Sequence, residues 1–283
     1  MTFRTIIVNL NHEARVPELI AAAAAVARPS EAHVIGLYVM PPLFMPSDVI
    51  LPMGEEFYDQ QIAEHKAQAE RIKAIFDRLT SGEPYVAEWR CYGDVGSAYE
   101  AISDGVVAQS RAAELMIVSQ AHDGIGAPML SDVPERVAIE SGRPVLIIPN
   151  SWNATAFGDK ITVAWNNTKE STRAAFDAMP FLRRASIVRL LTAGNQTDDE
   201  GINTIPAADI AETLARRGLN MEVGMMDDAG RNAAAALMAR VAADGSDMLV
   251  MGAYGHSRFR EFILGGTTRD VLKTMTVPVL MSH

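Results

Sequence analysis

The residues best suited to chemistry in this chain lie in its last forty or so positions. The run Asp247-Met248-Leu249-Val250-Met251 leads into Gly252-Ala253-Tyr254-Gly255, and nine residues, His256 to Leu264, separate these glycines from Gly265-Gly266-Thr267-Thr268-Arg269. The run is of strand type and the segment after Gly266 is of helical type, so the order is strand, loop, helix start. Glycine at the end of a strand lets backbone come close to a ligand, and a helix N-terminus offers unpaired N–H groups and the positive end of its dipole. Together they predict a site for an anion such as phosphate. His256, Ser257, Arg258 and Arg260 stand next to the glycines, and Arg269 falls in the first turn of the helix. Guanidinium groups hold phosphate oxygens well, and an arginine near a helix N-terminus is unfavourable unless an anion compensates it. A blander reading stands beside each: loop glycines serve turns, surface arginines are solvated, and a lone histidine beside a glycine loop is a hydrogen-bonding bystander rather than a proton-transfer group.

Other chemistries find no support. The sequence holds no Gly-x-x-x-x-Gly-Lys-Ser/Thr loop, no Gly-x-Ser-x-Gly nucleophile turn, no His-Glu-x-x-His pair and no Gly-x-Gly-x-x-Gly after a strand. Cys91 is the single cysteine, which excludes an internal disulfide or a cysteine metal cluster and reads as a small half-buried strand residue. Asp198-Asp199-Glu200 and Asp227-Asp228 read as solvated loops, although the second run follows a strand on the side where a ligand would sit. No catalytic set is assembled, so the expected metal ligands are none.

The chain that must position these residues has 283 of them, 48% apolar and 21% charged, enough for two globular domains. A formal net charge of −10 argues against a nucleic-acid partner and against an anionic membrane surface. The stretch Leu19 to Ala27 is too short and too rich in alanine to span a bilayer, and the first residues pass directly into a strand pattern, so a cytoplasmic protein is expected.

Strands are predicted at Thr5–Leu10, Ala32–Met40, Tyr85–Cys91, Leu115–Ser119 and Val145–Ile148, with helices from Pro17, over Asp59–Leu79, from Ser97 to about Arg111 and from about Pro134. Between them, Pro41 to Gly54 is an apolar segment whose prolines forbid a regular element, either a lid or partner surface or a loop folded over its own domain. Asn150 to Asp159 has linker composition, and the pattern then begins again. Strands at Ile161–Trp165, Ser186–Leu191 and Asn220–Met225 alternate with helices from Lys169, at Pro206–Arg217 and at Ala229–Ala243. The alternation predicts an α/β chain of two tandem doubly wound parallel-sheet domains, Rossmann-like with five strands each, over residues 1–150 and 158–283.

The repeat can be checked residue by residue. Glu114-Leu115-Met116-Ile117-Val118 matches Asp247-Met248-Leu249-Val250-Met251, and Arg143-Pro144-Val145-Leu146 matches Val277-Pro278-Val279-Leu280. The halves differ at the site. Opposite Gly252 and Gly255 stand Ser119 and His122, and opposite Gly265 and Gly266 stand Ser131 and Asp132. A carboxylate at a phosphate cradle repels the ligand, so a nucleotide belongs in the second half and the first is degenerate. In open parallel sheets ligands bind where the strand order reverses, which brings the loop Trp165-Asn166-Asn167-Thr168 opposite Gly252–Gly255.

Gly-x-x-Gly, nine residues, then glycine and a small residue resembles the ATP-binding signature of the universal stress protein family, and Val277-Pro278-Val279-Leu280 resembles its closing strand. This resemblance implies a sheet order of 3-2-1-4-5 in each half, and a pairing of the two fifth strands that a tandem chain makes internally, with a homodimer also possible. It implies ATP or a related adenine nucleotide, with Mg²⁺ where a metal accompanies it, held by Gly252, Gly255, His256, Arg258, Gly265, Gly266, Thr267 and Thr268. Family members have Ser or Thr where this chain has Gly266, and Asp where it has Asn166 at the ribose or adenine end. Asn166 keeps hydrogen-bonding capacity but lacks the charge that favours a divalent metal, and it equally fits an Asx turn capping the next helix. Three functions follow: a nucleotide-binding regulator of stress adaptation, a slow ATPase using water near His256, and a scaffold without nucleotide.

Overall fold

The computed structural model describes residues 2–43, 55–93, 101–121, 129–193, 207–226, 232–254 and 266–283. In the first half the order is β1 (Thr5–Asn9), α1 (Val16–Ala27), β2 (His33–Val39), α2 (Glu55–Thr80), β3 (Val86–Tyr92), α3 (Ile102–Ser110), β4 (Leu115–Ser119), α4 (Val133–Glu140) and β5 (Val145–Ile148). The second half runs β6 (Lys160–Trp165), α5 (Lys169–Asp177), α6 (Met179–Leu182), β7 (Ile187–Ala193), α7 (Ala207–Ala215), β8 (Met221–Met226), α8 (Ala233–Ala243), β9 (Met248–Gly252), α9 (Gly266–Thr274) and β10 (Val279–Ser282). The expected alternation is present. The predicted helix from Lys169 stops at Asp177 because Pro180 cannot continue its hydrogen-bond ladder, and the short α6 carries on in a new turn. Most of the proline-rich segment, residues 44–54, lies outside the described residues.

All ten strands join one sheet in the order β3-β2-β1-β4-β5-β10-β9-β6-β7-β8. Each half has the order 3-2-1-4-5, parallel throughout, as the resemblance implies. The halves meet where β5 and β10 pair antiparallel, with Val279 opposite Ile147, Leu280 opposite Leu146 and Met281 opposite Val145. Strand order reverses between β1 and β4 in one half and between β6 and β9 in the other.

A parallel sheet covered on both faces needs apolar residues at successive positions, and the strands supply them. Ile6 and Val8 face one core while Ile7 between them faces the other. Leu146 and Leu280 bury in the first core; Val145, Ile147, Val279 and Met281 bury in the second. Both cores therefore run through the seam. The predicted linker packs too: Trp152 is buried, its ring 6.0 Å from Phe157, which stands 5.9 Å from Phe181, itself 5.4 Å from Phe3 of the other half.

The repeat extends to polar detail. Asp247 accepts the amides of Gly158, Asp159 and Lys160 at 3.0–3.1 Å, anchoring the start of β6, and its counterpart Glu114 accepts those of Arg4 and Thr5 at the start of β1. Cys91 departs from expectation: it is exposed, on the edge strand β3. Among the described residues no helix is long and apolar enough to cross a membrane. Leu280 is fully buried at the seam, so Leu280→Ala should cost about 2–5 kcal/mol in urea unfolding. A loss below about 1 kcal/mol would mean that the seam is not packed as described.

Candidate functional site

The C-terminal end of β6 delivers Trp165 buried and Asn166 exposed. Asn167 then takes a left-handed φ of 58°, which asparagine tolerates better than other residues with a Cβ. That turn sets Thr168 as the N-cap of α5. Its hydroxyl accepts the Ser171 amide at 3.3 Å while the Ser171 hydroxyl accepts the Thr168 amide at 3.1 Å. The Thr168 hydroxyl also donates to the Asn166 side-chain oxygen at 2.9 Å. Asn166 is thus tied into the start of α5.

Gly252 ends β9 beside that helix. A Cβ on Gly252 would stand 2.6 Å from the Ser171 amide nitrogen and 2.7 Å from the Glu170 carbonyl carbon. The backbone that this glycine admits is the chain's own, the first turn of α5 seated on the end of β9. Sequence spacing marks a close approach; it does not say what approaches.

Beyond Gly252 the turn is fixed from three sides. The Ala253 amide donates to the Ser282 carbonyl at 2.8 Å, and the Ala253 carbonyl lies 2.9 Å from His283 Nδ1. Tyr254 has φ 57°, and its amide donates to the hydroxyl of Thr268 at 3.2 Å. Thr268 is buried in α9, so this residue locks the turn after β9 to the helix. Gly266 and Thr267 ahead of it are exposed, and among the described residues nothing lies within 4 Å of a Cβ built on Gly266. At the start of α8, the Asn232 side chain caps the Ala234 amide at 2.9 Å and donates to Asp270 of α9. Thus the structure brings Asn166, Gly252, Gly266, Thr267 and Thr268 to the same sheet end, while Gly255, His256, Arg258 and Gly265 lie outside the described residues.

The corresponding place in the first half is filled by its own side chains. Arg15, just before α1, is buried, and its guanidinium donates to the carbonyl of Pro149 at 2.6 Å, the carbonyl of Asn150 at 3.3 Å and the hydroxyl of Ser119 at 3.2 Å. Burial pulls its pKa down from the ordinary arginine value, offset in part by Glu18. Asp132, at the position matching Gly266, accepts the Ser103 hydroxyl at 2.7 Å, and Arg136 reaches the same serine at 2.8 Å. A buried cation thus fills the end of the crevice beside β4, and a part-exposed carboxylate stands at the start of α4. Arg15 escaped sequence reasoning, yet it had a signal: an arginine in the loop after the first strand, at the place where strand order reverses.

Across the seam, Glu135 of α4 reaches Arg269 of α9 at 3.9 Å. The Tyr254 hydroxyl is buried against the same carboxylate without closing a hydrogen bond of good geometry, and burial first, then Glu135, push its pKa well above the ordinary tyrosine value. Among the described residues no group of three or more His, Cys, Asp or Glu stands together as a metal site.

The profile of the universal stress protein family matches residues 159–283, the half that carries the glycines. This half of the chain is thus similar to the universal stress protein family. A universal stress protein of Synechocystis sp. is 26% identical over 153 residues, which are 52% of this chain and 49% of that one. The chain thus spans about half the length of the curated relative it matches. Over 99% of its length it has the fold of a universal stress protein from Archaeoglobus fulgidus, at 16% identity, with a TM-score of 0.71 and 96% of that chain covered. A functionally unknown protein from Pseudomonas aeruginosa has the same fold at 15% identity, with a TM-score of 0.58, covering 99% of this chain and 92% of its own. A universal stress protein solved in complex with cAMP is similar over 53% of this chain and 100% of its own, at 21% identity and a TM-score of 0.31.

Gly252 acts through packing. Gly252→Ala should destabilise the second half by about 1–3 kcal/mol, because rigid backbone on both sides must move to admit the methyl group. Urea unfolding checks this, and unchanged stability would show that α5 does not sit on β9 as described.

Proposed function

We propose that residues 158–283 bind ATP or a related adenine nucleotide at the C-terminal ends of β6 and β9, and that the chain serves as a nucleotide-binding regulator in stress response. The observation that carries this reading is the contrast at one matched position. Among the described residues nothing lies within 4 Å of a Cβ on Gly266, which opens α9, whereas Asp132 at the matching position of the first half carries a carboxylate bound to Ser103. The first-turn amides of α9, which have no partner within the helix, and the exposed Thr267 hydroxyl fit phosphate oxygens. Thr268 supports the site by holding the turn after β9 rather than by offering its lone pairs to the ligand. Asn166, on the facing loop, suits the ribose or adenine end through its amide group. Gly255, His256, Arg258 and Gly265 enter as contacts on sequence grounds. With Asn166 neutral, Mg²⁺ arrives with the nucleotide's phosphates rather than on a set of protein carboxylates. Residues 1–150 are then a partner half with a degenerate site, in which Arg15 and Asp132 take the places of ligand groups.

A second reading, a scaffold without nucleotide, has its own observation in the Asn166 oxygen already engaged by Thr168. Calorimetric titration with Mg-ATP separates the two. One site per chain is expected, and saturation at about 100 times Kd should add about 2.7 kcal/mol to folding stability. Two sites would overturn the degenerate first half, and no heat with an empty site would favour the scaffold. Gly255→Asp should abolish binding in a chain that still folds, since it sets a carboxylate against the phosphates; undiminished affinity would remove the glycine loop from the site.

A further inference from the structure

The helix that opens the candidate site belongs to the second half, yet the first half grips it at both ends. At the C-terminal end of α9, Gln120 donates to the carbonyls of Leu272 at 2.7 Å and Lys273 at 3.2 Å, while its own oxygen accepts the Asn150 amide at 2.8 Å. The last carbonyls of a helix have no partner inside it, so Gln120 is a cap supplied from across the seam. Near the other end Glu135 faces Arg269 at 3.9 Å, with side chains 27% and 45% exposed. Helical side chains lean toward the N-terminus of their own helix, which carries the Arg269 guanidinium toward the turn opened by Gly266 and Thr267.

We propose that Glu135 sets the anion affinity of the second half by competing with the bound phosphate for Arg269. The inference rests on the nucleotide reading above. The pair is long and partly exposed, a geometry that contributes little to stability and is readily exchanged. Arginine gains more from the paired oxygens of a phosphate, which its planar fork matches. Among the described residues Arg269 is the cation paired with Glu135, since neighbouring Arg136 is engaged by Asp104 at 2.7 Å, Glu140 at 3.1 Å and Ser103 at 2.8 Å. When phosphate draws Arg269 away, Glu135 is left beside the buried Tyr254 hydroxyl, a donor able to complete a hydrogen bond to it. The carboxylate of one half thereby weakens phosphate binding in the other, and nucleotide occupancy loosens one contact across the seam.

Titration of the full chain with Mg-ATP tests this in wild type, Glu135→Gln, Arg269→Ala and the double variant. Glu135→Gln should tighten binding about three- to tenfold by removing a competing charge, and that gain should vanish in the Arg269→Ala background. The sign separates competition from support: a Glu135 that merely holds the fold would lose affinity on substitution. Equal or weaker binding by Glu135→Gln, beside a wild type that binds, would overturn this inference alone. An equal gain in the Arg269→Ala background would overturn the exchange of Arg269 by showing a general field effect. A wild type that binds no nucleotide would overturn the nucleotide reading and this inference with it.

Discussion

The antiparallel pairing of β5 with β10 is the contact on which the rest of the molecule depends. Three registered residue pairs turn two five-stranded sheets into one of ten, and both hydrophobic cores pass through them. Burial at roughly 25 cal/mol per Å² makes such a dry seam far stronger than the polar contacts around it. Those polar contacts depend on it in turn. Gln120 finds the end of α9, and Arg173 of α5 reaches the Gly142 carbonyl at 2.5 Å, because the seam fixes the two halves in register.

One fold used twice presents two crevices, and the chain treats them differently. At the first, a buried guanidinium satisfied by Pro149, Asn150 and Ser119 closes the space between β1 and β4. At the second, the turns after β6 and β9 are braced from within, through Thr168, Ser171 and Thr268, and no described residue comes within 4 Å of a Cβ on Gly266 at the start of α9. Charge follows the same division. Asp132 puts a carboxylate at the start of α4, and Gly266 at the matching start of α9 brings no side chain and no charge.

Much of the fold was legible in the sequence. Continuous apolar runs identify buried parallel strands, the match of Glu114–Val118 to Asp247–Met251 exposes the repeat, and the family resemblance implies the strand order. The site was legible in part, and for a physical reason. Spacing shows where backbone is bare, as at Gly252, but the group filling that bareness comes from α5, eighty residues earlier, and only packing reveals it. Arg15, Gln120 and Glu135 act across the sheet or the seam, and local pattern carries no trace of such distance. Cys91 misled because alternation within β3 does not tell an edge strand from a central one. Trp152 and Phe157 sit in a stretch whose turn formers read as linker, yet their rings pack as core.

The plug of the first half has a bearing on how such a molecule can change over generations. In an assembly of two identical chains every substitution appears twice, so an arginine that closes one crevice closes both. Here the halves are encoded separately, and Arg15 and Asp132 have counterparts in the second half that are free to differ. Fusion breaks the symmetry at its source. One copy of the fold can give up its ligand and keep its strands, and natural selection can then act on it as a wall, a clamp or a counter-charge for the other.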